Sequence, residues 1–424
     1  MHVLKFSDVY FPRINGVSTS IHTFRQTLAE QDVRVTLVAP DYLDGADTLE
    51  PTSGTSTLEP TSGTSTLEPT SGTSTPETAA GTGGGEVIRI AARRVPLDPE
   101  DRLMRRDALQ QLPKRLQNLD IDLVHVQTPF AAHYSGLHLA RRLNLPCIAT
   151  YHTHFEEYLF HYIPLLPRAV LRALARSIAR TQCDALDAVV VPSQAMAETL
   201  RDYGVTTPLH VIATGLGENE FMRGDGRGFR AAYGIGAERK VALYVGRVAH
   251  EKNIGFLLEV AAQARRQRPD LLLLIAGDGP ALPALRRKAK QMALDRHVQF
   301  VGYLARTSSL KDCYAAADIF VFASLTETQG LVLLEAMAAA LPVLAIPALG
   351  AAEIVAPQRG AVPGAREVPI FAAQLVQLLD QPAQLARLGQ AGLDFAREWD
   401  ATSQGAKLAA LYRSLIERRQ RRPQ

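Results

Sequence analysis

The stretch Ile319–Pro347, "IFVFASLTETQGLVLLEAMAAALPVLAIP", decides the fold. It begins with "IFVFAS", an apolar run with no in/out alternation, which predicts a strand buried on both faces. "LTETQG" is the polar exit loop. Gly330 opens a helix that is apolar on all sides and must therefore be buried. "PVLAIP" (342–347) is a second strand of the first kind. Two carboxylates interrupt the pattern, Glu327 in the loop and Glu335 in the helix, eight positions apart. Glu335 lies about 7.5 Å along the helix from Gly330. A buried carboxylate is rarely left without a partner. Either a basic residue meets it or the hydroxyls of a ligand do.

The same alternation of buried strand and helix runs outward in both directions. Toward the N-terminus lie "HVLKF" (2–6), "VRVTLVA" (33–39), "EVIRIA" (86–91), "DLVHVQ" (122–127), "PCIATYH" (146–152), "AVVVPS" (188–193) and "LHVIAT" (209–214). A second series holds "VALYVG" (241–246), "LLLLIAG" (271–277) and "VQFVG" (298–302) before the opening stretch. Strands of this kind spaced by helices indicate parallel sheets covered on both faces. Two series predict an α/β protein of two doubly wound, Rossmann-like domains. The predicted boundaries are 1–213, 214–393 and a C-terminal segment 394–424. Ligands of such sheets bind beyond the carboxyl ends of strands, so the cleft between the domains is the expected site.

Size and composition agree. A chain of 424 residues is too long for one ordinary core. A net charge of +3 gives no reason to expect nucleic-acid binding. Cys147, Cys183 and Cys313 lie far apart without metal-like spacing and read as small buried residues of a reducing compartment. The N-terminus lacks the apolar run of a signal peptide, and no uninterrupted apolar stretch is long enough to span a bilayer. A cytoplasmic chain, able to sit on a membrane surface, is expected. One segment stands outside the scheme. "LEPTSGTST" occurs three times in tandem from Leu49 to Thr75. It is too polar to bury a core, so 44–86 reads as a disordered insert between the second and third strands.

The chemistry-bearing residues cluster at strand ends. In "LYVGRVAHEKNIGFLLEV" (243–260), Gly246 ends a strand, Arg247 and Lys252 occupy the loop, and a helix follows near Asn253. Such a junction suits an anion, and two cations there make a diphosphate site. The alternative is two solvated surface cations. In "LLLLIAGDGP", Gly277 and Gly279 either admit a ligand close to the backbone or make a tight turn. No GxGxxG follows any strand, against a dinucleotide dehydrogenase, and no P-loop lysine motif is present. Carboxylate, cations, carboxylate is the order that grips the sugar, diphosphate and ribose of a nucleotide-sugar.

At these residues the chain resembles the retaining family-4 glycosyltransferases of GT-B fold. "GRVAHEKN", "AGDGP", "FVGYL", "TETQGLVLLEAMA" and the N-terminal "FSDVYFPRINGVSTSI" are similar to that family's signature segments, in the same order. The resemblance implies that Arg247 and Lys252 bind the donor diphosphate, Glu327 the hexose and Glu335 the ribose. Thr328, Gln329, Gly330 and Leu331 would meet sugar and phosphate through backbone N–H groups. Tyr303 and Leu304 would border the base, while Gly16 and Gly277 would lie beside the donor. His152 would stand near the anomeric centre. No cofactor and no metal are implied. The last helix, from about Asp394, would return to the first domain. "YHTHFEEY" with "TETQGL" is most similar to the diacylglycerol glucosyltransferases, which implies UDP-glucose and a lipid acceptor. One departure is Gly217 in "ATGLGENEF", where the family has an aspartate.

"IPLLPRAVLRALARSIAR" (163–180) spaces Arg168, Arg172, Arg176 and Arg180 four apart beside apolar residues. On a helix they form one basic stripe, the pattern of an anchor on an anionic membrane surface or of an ordinary solvated face. "RLMRRDALQQLPKRL" (102–116) and the tail from Arg413 are further basic patches. His152 and His154 alternate around Thr153, but no third histidine has metal-ligand spacing. The expected partners are a nucleotide-sugar, a lipid or glycan acceptor and the inner face of the cytoplasmic membrane, with no nucleic acid. The rival readings are another donor such as GDP-mannose or UDP-galactose, a soluble acceptor, or a non-catalytic scaffold on the same fold.

Overall fold

The computed structural model describes residues 1–42, 85–95, 98–152, 168–306 and 308–421. The first half of the chain supplies strands β1 (His2–Phe6), β2 (Arg34–Pro40), β3 (Val87–Ile90), β4 (Ala92–Val95), β5 (Asp98–Met104), β6 (Leu123–Val126), β7 (Cys147–Thr150), β8 (Ala188–Val191) and β9 (Leu209–Val211). Seven of them form a wholly parallel sheet in the order β3-β2-β1-β6-β7-β8-β9. The second half supplies β10 (Lys240–Val245), β11 (Leu271–Ala276), β12 (Val298–Gly302), β13 (Ile319–Phe322), β14 (Val343–Ala345) and β15 (Ala361–Pro363). These form a six-stranded parallel sheet in the order β12-β11-β10-β13-β14-β15. The two expected Rossmann-like sheets are present. In each, strand order reverses beside an early strand, as in doubly wound folds.

Burial follows the sequence pattern. Every residue of β11 and of β13 is buried, as continuous apolar runs require. β12 buries only Val298 fully, because it is an edge strand. Asn15 starts the helix Gly16–Ala29 with a capping box: its side chain accepts from Ser18 N at 2.9 Å, and its own N–H donates to Ser18 Oγ at 2.9 Å.

Three strands were not foreseen. β4 and β5 make a separate antiparallel pair, and part of the expected 102–116 basic patch lies in β5. β15 is three residues long, too short for a hydrophobic run to show. Of the 44–86 insert, residues 44–84 lie outside the described residues; β2 and β3, which flank it, pair in parallel.

The chain crosses between the sheets twice, side by side. Leu216 N donates to Trp399 O at 2.7 Å, and Ala401 N donates to Leu216 O at 2.9 Å. A Cβ on Gly215 would lie 2.5 Å from Ala401 Cα, so only glycine fits at this contact. Asp400 caps the final helix, Ala401–Gln420, through Ser403 N at 2.7 Å. That helix packs Leu408, Leu411, Tyr412 and Leu415 against Val3, Phe24, Val35 and Ile148 of the first domain. The helix before it, Pro382–Ala396, packs instead on Leu331–Ala338 of the second domain. The return therefore begins at Asp400. Among the described residues no helix is long and apolar enough to cross a membrane.

Candidate active site

Apart from Gly16 in the first domain, the expected donor residues lie on loops leaving the carboxyl ends of β10 to β13 and on the helix Leu331–Ala338 that follows β13. Lys252 Nζ forms an ion pair with Glu327 Oε1, joining the β10 loop to the β13 loop. Both side chains are mostly buried, at 22% and 17% exposure. Burial pulls the Lys252 ammonium pKa down, but the Glu327 charge and hydrogen bond outweigh it and the net direction is up. Lys252 therefore stays charged. Arg247 is close enough for its charge to act against that of Lys252, so two cations converge near one carboxylate. The Tyr244 hydroxyl donates to Arg247 O at 3.1 Å and fixes the loop.

Gly277 has a structural reason of its own. Its φ is 137°, and a Cβ would sit 1.9 Å from Gly246 O. The β10 and β11 exits touch backbone to backbone there, whatever ligand lies above.

Glu335 is 4% exposed in the helix Leu331–Ala338. Its partner is internal. Arg306 Nη2 pairs with Glu335 Oε1, and the Tyr314 hydroxyl donates to Glu335 Oε2 at 3.1 Å. Burial first, and then the Glu335 charge, hold the Tyr314 phenol well above its ordinary pKa, so it stays a donor. The Glu335 charge dominates at Arg306 and raises its pKa further. Neither Arg306 nor Tyr314 carried a signal in the sequence.

The loop after Glu327 is fastened to the first domain. Thr328 Oγ1 donates to His152 O at 2.9 Å, and Ser193 Oγ donates to Thr328 O at 2.7 Å. Gln329, 7% exposed, uses both ends of its amide on one linker residue. Thr214 N donates to Gln329 Oε1 at 2.9 Å, and Gln329 Nε2 donates to Thr214 O at 2.7 Å. Thr214 Oγ1 in turn donates to Ser20 Oγ at 2.7 Å in the Gly16 helix. The Thr328 and Gln329 side chains thus join the domains, leaving their backbone N–H groups as what they can offer a donor. Gly350 N, at the start of the helix Gly350–Val355 that follows β14, donates to Glu327 O at 2.9 Å.

His152 follows β7 and faces this loop. Its Nε2 lies 3.0 Å from Gln127 Oε1. Burial first, and Lys5 second, push its pKa down to about 3, so the ring is neutral. Gln127, 3% exposed, was not foreseen either; its last strand neighbours are ordinary β6 core. Gly16 opens its helix with no heavy atom within 4 Å of a would-be Cβ. Leu304 is buried, Leu331 is half-buried, and Tyr303 is 53% exposed. His154 and His161 lie outside the described residues.

The basic helix runs Arg168–Asp184. Arg172, Arg176 and Arg180 are exposed, beside Val170 at 50% and Leu174 at 42% exposure. The side chain of Arg168 is outside the described residues. The stripe is less free than its spacing implied: Arg176 lies over the Tyr203 ring at 5.3 Å, and Arg180 meets Asp184 at 3.6 Å.

Comparison with known proteins bears on the whole of this arrangement. The "Glycosyltransferase Family 4" model matches residues 14–218, and the "Glycosyl transferases group 1" model matches 227–395. The alpha-monoglucosyldiacylglycerol synthase of Streptococcus pneumoniae is 29% identical over 81% of this chain and 71% of its own. The enzyme of the same name from Acholeplasma laidlawii is 25% identical over 81% and 80%. The GDP-mannose-dependent alpha-mannosyltransferase of Mycobacterium tuberculosis is 28% identical over 83% and 81%. Among solved structures, the sucrose-phosphate synthase of Thermosynechococcus elongatus superposes with a TM-score of 0.75 at 20% identity, covering 98% and 99% of the two chains. Anabaena HepE in complex with UDP gives 0.70 at 17% identity, covering 98% and 100%. The two family models between them take in both sheets and every donor-side loop, and the chain belongs to the family-4 glycosyltransferases of GT-B fold.

Proposed function

We propose that the chain transfers a hexose with retention, glucose from UDP-glucose, onto a membrane lipid such as diacylglycerol. The observation that carries this reading is the pairing of Lys252 with Glu327 beside Arg247, on loops that face His152 across the cleft. The donor diphosphate would draw Lys252 and Arg247, and releasing Lys252 frees Glu327 for the hexose hydroxyls. The bond from the anomeric carbon to the diphosphate breaks on the face where the bond to the acceptor oxygen forms. The departing phosphate oxygen takes the acceptor proton, so no carboxylate nucleophile is needed. The two cations and the backbone N–H groups of 328–331 stabilise the charge that develops on the leaving group. This scheme invokes neither cofactor nor metal.

The lipid acceptor is supported by the similarity to the two alpha-monoglucosyldiacylglycerol synthases. It is also supported by the exposed Val170 and Leu174 among Arg172, Arg176 and Arg180. Peripheral attachment to the inner face of the cytoplasmic membrane fits both. The mannosyltransferase relative keeps GDP-mannose as a second donor to test. The deciding assay is a donor panel with lipid extract and with diacylglycerol liposomes, the product's anomeric configuration read by NMR. An α-glucolipid formed by the wild type and lost in Glu327→Ala is expected. A β-linked product refutes retention. A wild type as inert as Glu327→Ala with every donor refutes catalysis.

A further inference from the structure

We propose that Arg306 is an internal competitor for the ribose seat: without donor its guanidinium holds Glu335, and a nucleotide binds by exchanging a ribose hydroxyl for that guanidinium. Arg306 in this role depends on the nucleotide-sugar reading above, with Glu335 at the ribose.

Both carboxylate oxygens of Glu335 are taken, Oε1 by Arg306 and Oε2 by Tyr314. The two partners differ in how readily they leave. Tyr314 is 5% exposed within the helix Ser309–Ala315 and is part of the second domain's core. The Arg306 side chain is 28% exposed and lies on the loop between β12 and that helix, three residues after Tyr303. Its charge is felt across the cleft. After burial and Arg25, the next influence lowering the His22 pKa is Arg306, and His22 belongs to the first domain's Gly16–Ala29 helix.

Glu220, Arg306, Tyr314 and Glu335 line one small cavity, so the guanidinium lies within the same space as both carboxylates. A ribose hydroxyl that reaches Glu335 Oε1 takes the place of the guanidinium, because that oxygen is already engaged. A second carboxylate stands ready to receive it. Glu220 sits on the linker turn Glu218–Phe221, half-buried, and the charge of Arg306 opposes the burial that raises its pKa. Moving Arg306 from Glu335 to Glu220 keeps the guanidinium paired and frees Oε1 of Glu335. A ribose hydroxyl can then donate to Oε1 while the Tyr314 hydroxyl keeps its hold on Oε2.

The test is calorimetric titration of the full chain at pH 8 with UDP and, separately, with inorganic pyrophosphate. Pyrophosphate reads only the Arg247 and Lys252 end. Arg306→Gln is expected to bind UDP about tenfold more tightly, because the site no longer has to be vacated first. Its pyrophosphate affinity stays at the wild-type value. Glu220→Gln keeps the Arg306–Glu335 pair and so remains testable if Arg306→Gln does not fold. It removes the second seat and is expected to weaken UDP about threefold. UDP affinity that is unchanged or weaker in Arg306→Gln overturns the exchange, as does an unchanged Glu220→Gln where that variant alone folds. A wild type that binds pyrophosphate but gains nothing from the uridine overturns the nucleotide reading, and the exchange with it.

Discussion

His152 shows how the site is tuned one residue at a time. Burial holds it at a pKa of about 3, and His133 at about 4 for the same first reason. In the unfolded chain both titrate near 6.5. Above that value they are neutral in both states and contribute nothing to pH dependence. Below it the unfolded chain takes up protons that the folded chain refuses, so stability falls as pH drops from about 6.5 toward 4 and 3. Urea midpoints at pH 6.5, 5.5 and 4.5 should decline, and His152→Gln should decline less steeply. Lys5 gives the complementary test. It is 1% exposed beneath the site, and burial first, then Arg25, lowers its pKa to about 7. Between about 10.5 and 7 the unfolded chain holds a proton on this lysine that the folded chain gives up, so stability falls as pH falls through that window. Lys5→Met should therefore be more stable than wild type at pH 7, with the advantage narrowing toward pH 10. An advantage independent of pH would mean that packing, not ionisation, sets the difference.

The β13 unit shows what an element needs beyond its own pattern. Its strand, loop and helix were legible because a buried parallel strand and an all-apolar helix are properties of neighbouring residues in the chain. The acid in that helix was legible as a problem, but its solution was not. Arg306 lies 29 positions away and meets Glu335 only after the β12 loop has folded over. Glu327 and Lys252 each have the sequence context of a ligand contact, and their pairing with each other has no sequence signal because it spans 75 positions. The Gln329 side chain stitches the loop to Thr214, a contact across 115 positions with no sequence signal. Gln329→Ala would leave the N–H and C=O of Thr214 buried without those partners. Each such group costs about 1–3 kcal/mol, so a loss of roughly 2–6 kcal/mol is expected in urea unfolding. Gln329→Glu keeps the acceptor but not the donor and should fall between. A wild-type midpoint for Gln329→Ala would show that the linker does not depend on this contact.

At the scale of the whole molecule, the final helix makes the two domains one folding problem. The first sheet is chemically complete by β9, yet one face of it is completed by residues that follow the second domain, packed beside Phe24 and Leu28 of the Gly16–Ala29 helix. Leu408, Leu411, Tyr412 and Leu415 are all under 8% exposed there. Burying each stabilises by about 1.5–3 kcal/mol, or roughly 6–12 kcal/mol for the four. That is comparable with the whole net stability of an ordinary domain, about 5–15 kcal/mol. The contact is specific as well as apolar: the Tyr412 hydroxyl lies 2.6 Å from His125 Nδ1, and His125 Nε2 lies 2.8 Å from Thr150 Oγ1, two residues before His152. Two changes should therefore separate its parts. Tyr412→Phe leaves the packing and removes one buried hydrogen bond, for about 1–2 kcal/mol and a folded, active chain. Ending the chain at Asp400 removes the packing itself, and the first domain should then unfold or aggregate although none of its own strands is missing. Gly215→Ala attacks the same docking from the other side. Its new methyl would meet the backbone of Ala401, where nothing flexible can yield, so the paired crossings at Leu216 and Asp400 must part. Limited proteolysis reads this directly: early cleavage near Asp400 in Gly215→Ala, and not in Tyr412→Phe, is the expected pattern. If the truncated chain instead stays folded by near-UV circular dichroism, the first domain is independent and the helix serves only to tether it.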